Sequence, residues 1–154
     1  MDKKEIKIIK DIMEKLLKLL DIDGNFEILE TKDDKGENVD IVLNTKDTGV
    51  VIGYHGDTLE GLQLVLSLCV ARKLGRFVHI SLDVGDYKKN RTEWLTTLAF
   101  ETKERVMLDA KEIAIPELKS WERRVVHLLL EEDEDVVSES QGEGRDRVLV
   151  IKPK

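Results

Sequence analysis

Ile52-Gly53-Tyr54-His55-Gly56-Asp57-Thr58-Leu59 is the stretch on which the reading of this chain turns. Two glycines bracket two ring-bearing residues, and helical signals stand on both sides. Upstream, a short helix is expected over Thr48 to Ile52, led by the apolar Val50-Val51-Ile52 and stopped by Gly53. Downstream, Asp57 reads as an N-cap with Glu60 three residues on, the pattern of a capping box. The helix it opens carries Leu59, Leu62, Leu66, Cys69 and Val70 and should end near Lys73-Leu74-Gly75. Two glycines at this spacing occur in many tight turns, so the tetrapeptide alone fits a ligand-free bend as well as a binding loop. Its surroundings decide between them.

Before the loop, Ile6, Ile9, Met13, Leu16, Leu17 and Leu20 recur at helical spacing, and Gly24 is the expected left-handed cap. Phe26, Ile28 and Leu29 suggest a strand, Lys32 to Glu37 a polar turn, and Val39, Ile41 and Leu43 a second strand in a hairpin with the first. After the loop, Phe77, Val78, Ile80 and Leu82 read as a further strand. The order is helix, strand, strand, helix, helix, strand, with Gly-x-x-Gly between the last two helices. That arrangement is what a KH domain needs. Its glycines let the backbone approach sugar-phosphate, the following helix start favours an anion, and Ile52 and Leu59 would help floor a groove for about four unpaired bases. We place this domain at residues 1–84, with a boundary near Val84-Gly85.

Residues 85–154 read as a second, small α+β domain. Asp86 is the expected cap of a long helix to about Asp109, with Trp94, Leu95, Leu98, Thr102 and Val106 as its apolar stripe. Ile113 and Ile115 suggest a short strand, and Pro116 suits a first helical position. The next helix carries Leu118, Trp121, Val125, Leu128 and Leu129 and runs into the acidic Glu131 to Asp135. Two closing strands, Val136 to Ser140 and Val148 to Ile151, flank the loop Gln141-Gly142-Glu143-Gly144. Arg123 and His127 stand at i and i+4, on one face of the helix. A guanidinium fork suits phosphate and an imidazole can donate or stack. Taken alone, the pair fits equally a surface histidine beside an arginine paired with an acid such as Glu131.

Ile52 to Leu59, Leu62-Gln63, Leu82-Asp83-Val84 and Tyr87 make the chain resemble the bacterial Jag family, also called KhpB or EloR. The likeness runs from Asn38 to Lys152. Pro116, Glu122-Arg123-Arg124, His127, Ser138, Ser140, Gly142, Glu143, Arg145 and Arg147 are similar to the second domain of that family, named for its Arg-x-x-x-His motif. The resemblance implies a type II KH domain followed by the Arg-x-x-x-His domain, binding single-stranded RNA in the cytoplasm as a post-transcriptional regulator tied to cell-envelope elongation or division. It also implies a small single-KH partner protein or a homodimer. Many members of that family carry an extra N-terminal Jag domain, for which this chain is expected to have no room. The RNA contacts it implies are Gly53, Tyr54, His55, Gly56, Arg123, Arg124, His127, Arg145 and Arg147. Lys88, Lys89 and Arg91 read equally as further contacts or as a solvated face. The family commonly has Lys or Arg where this chain has Tyr54, a side chain suited to stacking on a base or ribose.

Composition frames the reading. A net charge of −7 is unusual for a nucleic-acid binder, but it is uneven. Residues 1–50 sum to −4, residues 51–100 to +1 and residues 101–154 to −4. The Gly-x-x-Gly loop lies in the least acidic third. One cysteine, Cys69, rules out an internal disulfide and reads as a reduced core residue. The opening Met1-Asp2-Lys3-Lys4-Glu5 resembles no secretory leader, and no apolar run approaches the roughly 18 residues of a membrane span. His55, His79 and His127 show no metal-ligand spacing, and no phosphate-loop or nucleophile motif is present, so neither an enzyme nor a cofactor or metal is expected. The competing class is a protein scaffold or dimerisation module with little affinity for RNA.

Overall fold

A computed structural model describes residues 1–33 and 36–154, with side chains at 1–30 and 37–154. The tip of the polar turn expected at Lys32 to Glu37 lies outside the described residues. The chain divides into two compact units, Met1–Lys88 and Lys89–Lys154.

The first unit is a three-stranded sheet covered by helices. Helix α1 (Lys3–Leu19) starts under a complete capping box, with Asp2 accepting from the Lys4 and Glu5 amides and Glu5 accepting from the Asp2 amide. It ends in a Schellman motif: Ile22 N–H donates to the Leu17 carbonyl and Asp21 N–H to that of Lys18. Asp21 takes the left-handed position at φ 54°, so Gly24 is not the cap. Gly24 instead opens strand β1 (Gly24–Asp33), where a Cβ would meet the Asn44 carbonyl at 2.7 Å. Strand β2 (Gly36–Thr45) pairs antiparallel with β1 and parallel with β3 (His79–Val84), giving the order β1-β2-β3. Phe77 lies outside β3 and is exposed.

Helices α2 (Thr48–Ile52) and α3 (Asp57–Leu74) fill the crossover from β2 to β3. Ile9, Met13 and Leu17 of α1, Leu59, Leu62, Leu66 and Val70 of α3, and the period-2 set Val39, Ile41 and Leu43 of β2 share one core. Gln63 of α3 accepts the Leu82 amide at 2.8 Å, tying helix to sheet edge. Cys69 is half-buried rather than in the core, because the inward position belongs to Val70.

In the second unit, helix α4 (Tyr87–Asp109) buries Leu95, Ala99, Thr102 and Val106. Trp94 falls one position off that stripe and is exposed. Asp86 stands in the left-handed region at φ 58°, and the Lys88 amide in the first turn donates to Asp83 instead. Strands β4 (Ile113–Ile115), β5 (Val136–Gln141) and β6 (Val148–Pro153) form an antiparallel sheet with β6 central. Helix α5 (Ser120–Leu130) starts four residues beyond Pro116. Its buried residues are Glu122, Val126 and Leu130, so the core stripe is rotated from the one expected, and Trp121, Leu128 and Leu129 face outward. A carboxylate sits in that stripe because two donors meet it: Arg91 Nε at 2.7 Å and the Lys119 amide at 2.9 Å. Among the described residues, no helix is long and apolar enough to cross a membrane.

Candidate nucleic-acid interface

The Gly-x-x-Gly segment is a tight turn between α2 and α3, kinked at His55, whose φ of 49° and ψ of 30° are left-handed rather than helical. Gly53, His55 and Gly56 all have positive φ, at 68°, 49° and 81°. Both glycines are demanded by internal space as well as by φ. A Cβ on Gly53 would overlap the Thr58 hydroxyl, and one on Gly56 would fall 2.9 Å from that of Tyr87. Gly56 is buried, and the space a side chain would need there is taken by Tyr87. Gly56, not Asp57, stands at the N-cap of α3; Asp57 is already helical and with Glu60 puts negative charge into the first turn.

What the turn presents outward is Tyr54 and His55. Their rings stack at 4.1 Å between centroids and 7° between planes, and Tyr54 is 66% exposed. The residue that replaces the usual basic side chain is thus a supported aromatic face. Of the basic residues after β3, Lys88 hydrogen-bonds Ser81 at 2.7 Å. Burial pushes its ammonium down, partly opposed by the nearby carboxylates of Asp83, Asp40 and Glu60. Lys89 is exposed.

The second unit holds a groove of about 630 Å³ lined by Ser120, Arg123, Arg124 and His127 of α5, Ser138, Glu139 and Ser140 of β5, and Arg147. The i, i+3, i+4 spacing of α5 lays its four residues along one side, and the period of two on β5 turns Ser138 and Ser140 to one face. Three guanidinium groups face one carboxylate here, a local excess of two positive charges inside an acidic chain. Glu139 is held below the usual carboxylate range by Lys152, which bonds it at 2.7 Å.

The groove side chains are preset. Arg123 donates from one terminal nitrogen to the Leu118 carbonyl and from the other to Ser120 Oγ at 3.1 Å. It therefore pairs with its own helix start rather than with Glu131, and two of its five N–H groups are used. His127 Nδ1 lies 2.7 Å from Ser138 Oγ, so Nε2 takes no part in that bond. Arg124 and Arg147 are exposed. Arg145, in the 3-10 turn Gly144–Asp146, does not line the groove.

Arg91 has a different place from the one expected of a surface contact. Its side chain is 12% exposed, bonded to the fully buried Glu122 and lying 4.1 Å over the Trp94 ring. It braces α4 against the start of α5. Sequence pattern alone does not single out Glu122, Ser120 or the pairing role of Ser138. The one available signal for Glu122 is its position three residues after Lys119, the reciprocal half of a capping box.

Residues 93–153 match the model of the Arg-x-x-x-His domain, and residues 8–82 match that of the KhpA/KhpB KH domain. The chain is 32% identical over 133 residues to the RNA-binding protein KhpB of Clostridium symbiosum, covering 86% of this chain and 58% of that protein. It is 31% identical over 107 residues to the RNA-binding protein KhpB of Bacillus subtilis, 68% of this chain and 51% of the relative. The RNA-binding protein KhpB of Streptococcus pneumoniae serotype 2 is 26% identical over 129 residues, 84% of this chain and 39% of the relative. The chain thus spans between about two fifths and three fifths of these relatives' length.

Proposed function

This chain belongs to the family that joins a KhpA/KhpB-type KH domain to an Arg-x-x-x-His domain, and we propose that it binds single-stranded RNA through both. The observation that carries the reading is the groove of Arg123, Arg124, His127 and Arg147, a preset cluster of donors with a net positive charge in a chain of −7. Phosphate oxygens would take the unused guanidinium N–H groups of Arg123, the open heads of Arg124 and Arg147, and His127. In the first unit, the stacked Tyr54–His55 pair would meet a base or ribose, with the backbone of Gly53 and Gly56 beside it. We assign Arg145 and Lys89 to looser electrostatic contact, and Lys88 and Arg91 to holding the fold.

The relatives are named as RNA-binding proteins, and the resemblance further suggests a cytoplasmic post-transcriptional regulator of envelope elongation or division. Binding to a small single-KH protein or a second copy would use the apolar groove between α1 and α3, lined by Leu16, Leu19, Leu68 and Cys69.

The test is titration of a labelled unpaired oligoribonucleotide at several salt concentrations. The wild type should bind with a log–log salt slope of roughly −0.7 per phosphate contacted. Arg123→Ala and His127→Ala should each weaken binding, at unchanged melting temperature for His127→Ala. Salt-independent retention, or variants that bind like wild type, would refute the groove as the site.

A further inference from the structure

Helix α5 carries a second exposed stripe beside the cationic one. Glu122, Val126 and Leu130 face the core, and Ser120, Arg123, Arg124 and His127 line the groove. The next sector round the helix, at about 100° per residue, holds Trp121, Val125 and Leu128. Trp121 is 37% exposed and Leu128 55%, while Val125 is partly buried. Arg124 stands on the border, three residues after Trp121 and four before Leu128, spacings at which side chains are neighbours.

A surface helix ordinarily gives its apolar stripe to the core and leaves polar residues outside. Here the core takes a carboxylate, while an indole stays at the surface against an arginine-lined groove. Trp121 is about one-third exposed, enough to offer part of its ring to a ligand. An apolar face bordering phosphate donors matches one chemistry closely: a polynucleotide strand, whose bases have flat apolar faces attached to the phosphates.

We propose that Trp121 is a stacking platform for an unpaired nucleobase whose flanking phosphates lie in the Arg123–Arg124–His127–Arg147 groove, with Leu128 as its border. The inference rests on the RNA-binding reading and deepens it. It adds capture of a base to capture of phosphate in the second unit, and a base inside a duplex has no free face to offer. It also separates two tasks, phosphate capture on one sector of α5 and base capture on the next.

The experiment uses the full chain and three probes of equal length: oligouridylate, an abasic ribose-phosphate oligomer and an RNA duplex. Oligouridylate should bind more tightly than the duplex. Trp121→Ala should weaken oligouridylate binding about 5- to 150-fold, the range for loss of one base–aromatic stack. Trp121→Phe should retain most of the affinity. Neither variant should change the affinity for the abasic oligomer or the salt slope, because no phosphate contact is touched. In Trp94→Phe, where Trp121 is the remaining indole, oligouridylate should quench the fluorescence and the abasic oligomer should not. Binding of oligouridylate by Trp121→Ala as tightly as by wild type would overturn the proposal and leave the stripe to a protein partner. So would equal losses for oligouridylate and the abasic oligomer. If Arg123→Ala and His127→Ala weaken binding while Trp121→Ala does not, the platform alone fails. If none of the three matters, the RNA-binding groove fails with it.

Discussion

Glu122→Ala removes a fully buried carboxylate that accepts from Arg91 Nε at 2.7 Å and from the Lys119 amide at 2.9 Å. The variant leaves the Arg91 guanidinium in the interior without its counter-charge and deprives the first turn of α5 of an acceptor. Removing one partner of a buried ion pair costs about 3–5 kcal/mol. Arg91 keeps the Trp94 ring at 4.1 Å and is 12% exposed, so its head can turn toward water, which places the loss near the lower end, about 3 kcal/mol. For a domain of this size that corresponds to a fall of roughly 12–24 °C in melting temperature. The assay is built into the sequence. The two tryptophans, Trp94 and Trp121, both lie in Lys89–Lys154, so indole fluorescence in urea follows the second unit alone. Glu122→Gln keeps an acceptor for Lys119 and should lie between wild type and Ala. Adding Arg91→Met to Glu122→Ala should recover part of the loss, because the stranded cation is then gone. A loss below about 1 kcal/mol in Glu122→Ala would refute the reasoning, since the carboxylate would then be no better paired inside than in water.

Ser138→Ala should weaken RNA binding about 2- to 10-fold with little change in melting temperature, because it removes the hydrogen bond that orients His127; unchanged affinity by titration would count against a positioning role. Gly56→Ala should destabilise the first unit by about 1–3 kcal/mol, from the left-handed φ of 81° and the 2.9 Å approach to the Tyr87 hydroxyl. Tyr87→Phe in that background should return part of it, as read by amide hydrogen exchange in the first unit, and no recovery would show that the contact is not the cause. Lys103→Met addresses Asp133, whose carboxyl is held below its ordinary range first by Lys103, then by the Asp135 and Val136 amides. A depressed folded-state pKa contributes stability above the unfolded value of about 3.9, and that stability is lost as pH falls through the folded value. The gap in urea midpoint between wild type and Lys103→Met should therefore be full at neutral pH and close as the pH drops well below about 4; a gap that persists in strong acid would point to packing by the lysine stem.

Where apolar residues repeat cleanly, the sequence suffices. Val39, Ile41 and Leu43 alternate and form the central strand of the first sheet, and Ile9, Met13 and Leu17 lie on the buried side of α1. The loop Gly53–Gly56 is legible between two helices, because glycines that must take positive φ leave a local mark. Several misreadings fall at caps and at one core position, where a polar group takes a place that periodicity assigned elsewhere. Asp21 rather than Gly24 takes the left-handed cap, Asp83 rather than Asp86 receives the Lys88 amide, and Glu122 occupies the core. Each depends on a partner distant in sequence or on local carbonyl geometry, and none of that is written in hydrophobic period.

The buried carboxylate also explains how α5 serves a site. An ordinary amphipathic helix of this length would bury Trp121, Val125 and Leu128, as the sequence pattern suggests, and leave Arg123 and His127 at the rim of a solvated face. Burying Glu122 instead rotates the helix, and the rotation is tolerated only because Arg91 and the Lys119 amide neutralise the carboxylate where it lands. The turn sets His127 against Ser138 on β5, beside Arg123, which is held by its own helix start. It also leaves the indole outside. The cationic groove and its apolar neighbour are thus two consequences of one buried ion pair. A variant that replaces Arg91 and Glu122 together by well-packed apolar residues should therefore fold stably yet bind RNA less well than a variant of equal stability altered elsewhere in the core; equal affinity of the two would separate the ion pair from the site.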